Sequence, residues 1–495
     1  MSHDRAIVRN WFGMCAFVCP NLVTICDMSE LISEDQAMQL AGQRLHFVGI
    51  GGCGMSGLAR IAAGRGATCT GSDMTDTQVV RQLIADGIPV VLTQTAESVP
   101  PDCDMLVISA AIKADHPEVV EANHRNIPIL KYAQLLGRLM IGHTGIAIAG
   151  THGKSTTTSM LCHLLIQAEL DPSFIVGATC AQIGGGSRVA TGDSDLLLAE
   201  ACEFDRSFHN FHPTHAAILN VEEDHLDIYK NLDDIIDAFH VFAQKLPATG
   251  SLLIHHDVRT RIAAGLSCDV QTIGFAPLAD WQVLVNGTSV VLKEHGHPVA
   301  QWSNPMPGEH MAFNAAVAMV LAHQRGATWD QLVPAIESFR GLDRRMQVLG
   351  DIKLQSGTVK LIDDYGHHPT EIDTTLRALA RHYRPKRLIC VFQPHQHSRT
   401  RFLLEQFAAS FSAADMVIVP EIYFVRDSEA ERQSVSSQDL VERLRKQNID
   451  AMQLDPFEKI TEHLAWIARD GDLIVTMGAG PVWQVSHALA KQSTT

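Results

Sequence analysis

The sequence predicts an α/β protein of three domains, each built on a mostly parallel sheet with helices on its faces. Two observations lead to this prediction. Short apolar runs alternate with helical segments along most of the chain, and strands that alternate with helices form parallel sheets with crossover connections. The length of 495 residues also suits three domains of about 150 residues each. We expect an N-terminal extension over residues 1–41 and domains over residues 42–138, 139–338 and 339–495.

Composition and charge exclude several classes of function. Hydrophobic residues make up 46% of the chain and charged residues 19%, which is ordinary for a globular protein with several cores. A net charge of −16 argues against non-specific binding to nucleic acid or to a membrane surface, since both require a basic face. The 11 cysteines include no tight CxxC pair, which is typical of free thiols in a reducing cytoplasm. We therefore expect a cytoplasmic protein without nucleic-acid or membrane partners.

The first block begins with an apolar strand at residues 45–50, followed at once by a glycine-rich loop and a helix. Its spacing Gly-x-Gly-x-x-Gly lets backbone amides approach a pyrophosphate at the start of the helix. Further strands are expected at 67–70 and 105–109. The pattern predicts a Rossmann-like domain that binds a diphosphate linked to a sugar, and it does not by itself distinguish NAD from a UDP-sugar. The candidate binding residues are Gly49, Gly51, Gly52, Cys53, Gly54, Ser72, Asp73 and Ser109.

The second block carries the strongest signal, a glycine loop between an apolar strand at 146–149 and a helix. Such a loop surrounds phosphates with N–H groups, its lysine neutralises phosphate oxygens and its hydroxyl binds Mg²⁺. Ile148 stands where the general pattern places its first glycine. We predict a domain with a P-loop ATPase-type sheet whose loop residues are Gly150, Thr151, His152, Gly153, Lys154, Ser155 and Thr156.

Two further strands of this block, at 196–199 and 216–219, each end in carboxylates. The first is followed by Glu200, Glu203 and Asp205, and the second by residues 222–225, which end in His225. Acidic segments are usually solvated surface. Two of them beside a predicted triphosphate loop instead indicate oxygen ligands for Mg²⁺.

The third block repeats the alternation of strands and helices and is expected to be a second Rossmann-like domain. Apolar strands at 359–362 and 388–392 are followed by segments dense in histidine and arginine, at 363–371 and 393–400. Ligands of open α/β sheets lie at the carboxyl ends of strands. We therefore expect both segments at one rim of one sheet, where they suit the binding of carboxylates or phosphates.

Taken together, these motifs resemble the Mur ligase family, and within it the members that add L-alanine. The similar segments are HFVGIGGCGMSG at 46–57, GTHGKSTTT at 150–158, PGEHMAFN at 307–314, DDYGHHPTE at 363–371 and QPHQHSRT at 393–400. The resemblance extends from about residue 42 to the C-terminus. Two positions depart from the family pattern: Cys202 stands where aspartate is commoner, and Gln396 where arginine is more usual.

The resemblance implies roles for individual residues. Lys154 would hold the ATP phosphates, Ser155 would bind one Mg²⁺, and Glu200 and His225 would bind a second. His310 and Asn314 would contact the adenine side. Arg345 and Asp364 would close the ATP site from the third domain, and together with Lys154, Glu200 and His225 they form the expected catalytic set. The residues expected to orient the amino acid are His368, His395 and Arg399.

The activity that the resemblance implies is the ATP-dependent ligation of L-alanine to the lactyl carboxylate of UDP-N-acetylmuramate through an acyl phosphate, in cytoplasmic peptidoglycan precursor synthesis. ATP and two Mg²⁺ ions would be required. One alternative is a recycling ligase that adds a tripeptide to the same sugar nucleotide, but the short stretch at 207–216 favours a single amino acid. Another is a binding protein that senses NAD or another nucleotide, which would not need the carboxylates. The sequence is compatible with a monomer or a homodimer.

Overall fold

The computed structural model describes residues 38–225, 228–354, 357–425 and 427–492. Of the N-terminal extension expected over residues 1–41, only residues 38–41 fall within this part of the chain. The described residues form three sheets, and strands predicted from apolar runs are present in each. Within the ranges given above, no helix is both long and apolar enough to cross a lipid bilayer.

The first sheet has five parallel strands in the order β3-β2-β1-β4-β5. Its strands are β1 (Arg44–Val48), β2 (Thr68–Ser72), β3 (Val90–Val91), β4 (Met105–Ile108) and β5 (Ile129–Lys131). Its helices are α1 (Cys53–Gly64), α2 (Gln78–Ala85), α3 (Pro117–His124) and α4 (Tyr132–Met140). The strand order reverses between β1 and β4, which is where a doubly wound sheet binds its ligand. The first glycine loop follows β1 at this point.

The second sheet has ten strands in the order β15-β14-β13-β12-β11-β10-β6-β9-β7-β8. Its strands are β6 (Thr144–Ala149), β7 (Ser173–Cys180), β8 (Gly185–Arg188), β9 (Leu196–Ala201), β10 (His215–Ile218), β11 (Ser251–His255), β12 (Asp269–Gly274), β13 (Trp281–Asn286), β14 (Ser289–Glu294) and β15 (His297–Ser303). Its helices are α5 (Lys154–Gln167), α6 (Leu232–Ala243), α7 (Arg259–Ile262), α8 (Glu309–Gln324) and α9 (Trp329–Glu337). Strands β6, β9 and β10 are parallel neighbours, so the turns that follow them lie at one edge.

The third sheet has six strands in the order β16-β17-β21-β18-β19-β20, of which only the β16–β17 pair is antiparallel. Its strands are β16 (Gln347–Leu354), β17 (Gly357–Asp364), β18 (Arg387–Phe392), β19 (Met416–Val419), β20 (Asp450–Gln453) and β21 (Asp472–Met477). Its helices are α10 (Pro369–Tyr383), α11 (His397–Phe402), α12 (Leu404–Ala409), α13 (Glu429–Arg432), α14 (Ser437–Lys446), α15 (Phe457–Ile467) and α16 (Trp483–Gln492). Because β17 and β18 are parallel to β21, the segments after both strands lie at the same rim, as predicted.

Helix α1 connects the first sheet to the second by close packing of glycines. A Cβ on Gly57 would lie 2.8 Å from the Cβ of Ser187, and one on Gly64 would lie 2.6 Å from a methyl of Val189. The strands β7 and β8 approach this face of the helix. Only residues without a side chain permit so short a distance between the elements.

Candidate active site

The second glycine loop lies between the buried strand β6 and the helix α5, which begins at Lys154. Gly153 caps the helix with φ of +84°, a left-handed conformation that a residue with a Cβ adopts at a cost. A Cβ on Gly153 would also lie 2.9 Å from Oδ1 of Asn314, so the amide of Asn314 packs directly against the loop. The free N–H groups at the start of α5 therefore face the space enclosed by the loop, as in an anion site.

Lys154 is held at the loop by a buried carboxylate. Its Nζ lies 2.8 Å from Oε2 of Glu203 and donates to the carbonyl oxygens of Gly150 at 2.5 Å and Thr151 at 3.1 Å. Burial lowers the pKa of Lys154, but Glu203 more than offsets this effect and the pKa is raised overall. The lysine is therefore charged at neutral pH and is available to a phosphate.

Glu200 lies at the end of β9 and is bound to the start of α5. Its Oε2 accepts a hydrogen bond from the hydroxyl of Ser155 at 2.9 Å, and its Oε1 accepts one from the amide of Gly177 at 2.5 Å. Burial raises the pKa of Glu200 in spite of these two bonds. A cation beside this carboxylate would therefore stabilise its ionised form.

His225 follows the second acidic segment and has φ of +54°. Its Nε2 lies 3.9 Å from Oε1 of Glu203 and 3.8 Å from Oδ2 of Asp224. Burial lowers the pKa of His225, so the ring is neutral at pH 7 and keeps a lone pair that a metal could use.

Arg399 reaches the same place from the third sheet. Its Nη2 donates to Oδ1 of Asp224 at 2.5 Å, and both side chains are more than nine-tenths buried. Burial raises the pKa of Asp224, but the guanidinium outweighs burial and holds it well below its usual range. Arg399 and Asp224 line a cleft together with His225 and Gln396. This pair connects the second and third sheets at the predicted site of the amino acid.

Asp364 and Arg345 occupy the rim of the third sheet. Asp364 accepts hydrogen bonds from the amides of Met346 and Gly366, both at 2.7 Å, and burial raises its pKa to about 6. The guanidinium of Arg345 lies over the ring of Tyr365 at 5.0 Å. The carboxylate thus fixes the turn that carries Arg345.

His152 in the glycine loop is the point where the second and third sheets meet most closely. Its Nδ1 lies 3.2 Å from Oε1 of Glu371 on α10, and its Nε2 lies 3.6 Å from Oε2 of Glu222. Burial lowers the pKa of His152, but the two carboxylates outweigh it and raise the pKa to about 9. His368, which caps α10, donates from Nε2 to the carbonyl oxygen of Glu223 at 3.1 Å. The loop is therefore bound to the third sheet through α10.

The remaining residues predicted near the adenine and the amino acid lie on α8 and at the rim of the third sheet. His310 and the buried Asn314 lie on α8, and burial lowers the pKa of His310 to about 4. The ring of His395 lies 6.1 Å from that of His367 and 5.7 Å from that of Tyr423. His395 thus stands at the rim of the third sheet, after β18.

The first glycine loop has a different environment from the second. The amide of Gly51 donates to Oδ2 of Asp73 at 2.9 Å, while Gly49 turns the chain with φ of +72°. Cys53 is exposed, and Ser109 directly follows β4. Gly52 and Gly54 lie in the same loop, where Gly52 caps α1.

Ser72 is bound inside the first domain. Its hydroxyl donates to Oε1 of Glu118 at 2.7 Å, and Ser72 and Glu118 are both fully buried. The other oxygen of Glu118 lies 3.0 Å from Nε2 of His46. The buried carboxylate requires hydrogen-bond donors, and Ser72 supplies one from the end of β2.

Tyr132 lies against the first loop and within electrostatic range of Glu200. A Cβ on Gly54 of the first loop would meet the Tyr132 ring at 3.0 Å. Burial raises the pKa of Tyr132, and the nearby charges of Glu200 and Cys202 raise it further. The predicted sugar-nucleotide loop and the predicted metal carboxylate are therefore neighbours across one aromatic ring.

The sequence indicated Glu203 and Asp224 as possible Mg²⁺ ligands but not their partners, and it did not assign Glu371 or Asn220. Glu203, Asp224 and Glu371 pair with predicted residues, and Asn220 holds the backbone of His152 through both atoms of its amide. The signal that could have found these pairings was position in the chain. Glu203 follows the buried strand β9, and Asn220 and Asp224 follow the buried strand β10. Glu371 follows β17 and belongs to the 363–371 segment, which was expected at the rim of the third sheet.

Comparisons with known proteins agree with this arrangement. Three family descriptions match successive parts of the chain: "Mur ligase family, catalytic domain" at residues 44–144, "Mur ligase middle domain" at 148–322 and "Mur ligase, glutamate ligase domain" at 344–480. A UDP-N-acetylmuramate–L-alanine ligase of Lachnospira eligens is 37% identical over 460 residues, which cover 90% of this chain and 98% of that protein.

Solved structures show the same fold. The crystal structure of a UDP-N-acetylmuramate–alanine ligase from Thermotoga maritima matches with a TM-score of 0.75 at 23% identity, covering 91% of this chain and 100% of that one. A murein peptide ligase from Psychrobacter arcticus matches with a TM-score of 0.65 at 25% identity, covering 91% and 98%. Because three family descriptions match successive parts of the chain and a 37% identical relative aligns with 90% of it, the chain belongs to the Mur ligase family.

Proposed function

We propose that this protein uses ATP to join L-alanine to the lactyl carboxylate of UDP-N-acetylmuramate. The observation that carries the proposal is the position of Glu200, which accepts a hydrogen bond from Ser155 of the second loop and lies close enough to Tyr132, against the first loop, to raise its pKa. A sugar nucleotide held by the first loop would extend its carboxylate toward the triphosphate held by the second. The relative from Lachnospira eligens, named for this reaction, supports the choice of substrates.

The side chains of the second loop suit phosphoryl transfer to a carboxylate. Both reactants are anionic, so their approach requires positive charge. Lys154 supplies one such charge, because Glu203 keeps it protonated. The N–H groups at the start of α5 add partial positive charge at the same place.

The donor set also fits Mg²⁺. The Ser155 hydroxyl and a Glu200 oxygen lie 2.9 Å apart, and both are oxygen ligands of the kind that Mg²⁺ prefers. His225, neutral at pH 7, is a candidate ligand for a second ion. Bound Mg²⁺ would neutralise developing charge on the transferred phosphoryl group.

Closure of the third sheet over the loop would protect an acyl phosphate from water. The contacts of Arg399 with Asp224 and of Glu371 with His152 join the two sheets in this way. An activated carboxylate hydrolyses if water reaches it, so a closed site favours attack by the amine. We assign Arg399, His368 and His395 to the amino-acid side of the cleft.

The test is phosphate release from ATP in the presence of UDP-N-acetylmuramate, with L-alanine, glycine, L-serine or a tripeptide added in turn. We expect release that requires both the sugar nucleotide and L-alanine. Release with the tripeptide alone would instead assign the protein to the recycling branch. Absence of release with every acceptor would contradict the proposed reaction.

A further inference from the structure

A cluster of two histidines and one glutamate bridges the second and third sheets, apart from the residues that the proposed function assigns to Mg²⁺. The cluster, which we call the bridging triad, consists of His152, Glu222 and His368. One ligand atom from each residue lies within 4.8 Å of the other two. His152 belongs to the glycine loop, Glu222 follows β10, and His368 caps α10.

We propose that the bridging triad is a binding site for a zinc-class divalent cation, which fastens the glycine loop to the third sheet. Two imidazoles and one carboxylate form the ligand set of many zinc sites, whereas Mg²⁺ prefers oxygen ligands alone. Three protein ligands leave a fourth position for water. To become a ligand, His368 would exchange one of its two present hydrogen bonds for the metal: Nε2 donates to the carbonyl oxygen of Glu223 at 3.1 Å, and Nδ1 accepts from the amide of Thr370 at 3.3 Å.

The hydrogen bonding of His152 prepares it for a metal. Its Nδ1 lies 3.2 Å from the partly buried carboxylate of Glu371, while its buried Nε2 has no hydrogen-bond partner among the described residues and faces Glu222 at 3.6 Å. Metal-binding histidines usually donate their other ring N–H to a carboxylate, which fixes the ring and strengthens it as a ligand. Glu371 is placed to do this for His152.

Charge at the bridging triad favours a cation as well. Glu222 and Glu371 both face His152, and together they raise its pKa to about 9 against the effect of burial. A metal ion would replace the proton on Nε2, which would pass to solvent. Ligand atoms around tetrahedral zinc lie about 3.3 Å apart when Zn–N is about 2.0 Å. The ligand atoms of the triad, now within 4.8 Å of one another, would therefore approach by up to about 1.5 Å.

An ion in the triad would hold the second and third sheets together. Ligases of this kind need to open for product release, and lid opening limits the turnover of many enzymes. Zinc-class ions should therefore inhibit turnover even when Mg²⁺ is in excess. The site would not depend on the identity of the amino-acid substrate.

The experiment is a titration of the full chain with Co²⁺ in excess Mg²⁺, followed by visible d–d absorption. We expect one equivalent of Co²⁺ with the intense bands of a tetrahedral site, displaced by Zn²⁺. His152→Asn and His368→Asn should abolish the bands. Asparagine retains hydrogen-bonding and helix-capping capacity, and melting temperature shows whether each variant is folded. Glu371→Gln should weaken binding about 10- to 100-fold, as expected for a partner that orients a ligand.

Two control variants decide where the ion binds. His209→Ala, whose ring nitrogen bonds to the carbonyl oxygen of Ala238 and which does not belong to the triad, should retain the bands. His225→Ala removes a residue assigned to Mg²⁺ and should also retain them. Bands that persist in both asparagine variants, or that disappear with His225→Ala alone, would overturn the proposal. The absorption bands report metal binding and not ligase activity. A failure of the proposed ligase function would therefore be distinguishable from a failure of the proposed metal site.

Discussion

The two glycine loops follow the same type of strand and open the same type of helix, yet their surroundings differ. In the first loop, a carboxylate binds the chain itself, since the amide of Gly51 donates to Asp73. In the second, a lysine lies in the loop and is held by Glu203, with Glu200 and Ser155 beside it. A glycine loop alone therefore indicates where an anion can bind. The charged side chains around it decide whether chemistry follows.

The interior below each loop differs in the same way. Under the first loop, His46, Glu118 and Ser72 form a buried network that is complete without a ligand. Around the second, Glu200 is buried with a raised pKa, and Lys154 keeps its charge only through one carboxylate. The charged side chains of Lys154 and Glu200 at the second loop are thus available to bind a ligand. Four substitutions test this contrast, in decreasing order of expected effect on turnover.

Lys154→Ala should produce the largest loss. Removal of the cation at the triphosphate should lower kcat by about 10³-fold or more, and it leaves Glu203 buried without its partner, at a cost of about 3 kcal/mol in the free energy of unfolding. Phosphate release and urea denaturation measure the two effects. The double variant Lys154→Ala/Glu203→Gln should recover part of the stability and none of the activity. Substantial turnover by Lys154→Ala would refute the assignment.

Glu203→Gln should lower kcat by up to about 10²-fold, because Lys154 loses the group that positions it. The substitution also removes the main effect that raises the pKa of Lys154, while burial, which lowers it, remains. In the wild type the raised pKa keeps the lysine charged throughout the neutral and mildly alkaline range. In the variant, deprotonation should begin at lower pH.

The pH profile of the rate checks the Glu203 prediction. The alkaline decline of kcat should move to lower pH in Glu203→Gln than in the wild type. An unchanged profile with reduced kcat would mean that Glu203 acts only through geometry. An unchanged kcat would mean that Lys154 does not need its carboxylate.

The sequence predicted much of this fold because its buried parallel strands are continuous apolar runs. The segments predicted at 146–149, 196–199 and 216–219 lie in β6, β9 and β10, and glycine and carboxylate turns follow them. The resemblance to the Mur ligase family then supplied expected roles for Lys154 and His225, and the structure places both beside Glu203. That the polar side chains after these strands lie together could also be predicted from the sequence, since strand order and crossover rules place the strand ends at one edge.

Pairings between distant segments were not predictable in the same way. Glu371 faces His152 across the second and third sheets, a separation of more than 200 residues that no local pattern encodes. Ser72 is a second example. Its position at the end of β2 predicts ligand contact, but no local pattern indicated that its hydroxyl donates to the buried Glu118 on α3. Which of two partners a side chain meets depends on packing between elements, and that information is absent from the spacing of one motif.

Gly52→Ala tests the first loop with a smaller expected effect. A Cβ at this position would meet no atom nearer than 3.5 Å, and Gly52 has φ of −65°, so the fold should tolerate alanine. If the loop receives the diphosphate, the methyl group should weaken binding and raise KM for the sugar nucleotide about tenfold, which corresponds to about 1.4 kcal/mol. KM for ATP and the melting temperature should stay unchanged.

Gly51→Ala is the comparison for this substitution. Its Cβ would lie 2.8 Å from Oδ2 of Asp73 and 2.9 Å from a methyl of Val80, so it should lower stability as well as sugar-nucleotide binding. If Gly52→Ala raised KM for ATP instead, the first loop would belong to the other nucleotide. The steady-state KM of each substrate, measured at saturation of the others, separates these outcomes.

Glu118→Gln should affect turnover least and stability most directly. The amide nitrogen that replaces one carboxylate oxygen cannot accept the hydrogen bond from Ser72 or from His46, and Glu118 is fully buried. One unsatisfied buried group costs about 1–3 kcal/mol, whereas kcat at saturating substrate should remain within about twofold, since the network lies beneath the binding loop and not at the second loop.

Glu121→Gln is the matched control on the same helix, because its partner Arg125 lies 3.9 Å away, both side chains are partly exposed, and such pairs contribute about 0–1 kcal/mol. Urea denaturation of both variants measures the difference. Equal costs would show that the buried network does not stabilise the first domain, and a large loss of kcat without loss of stability would make Glu118 part of the reaction.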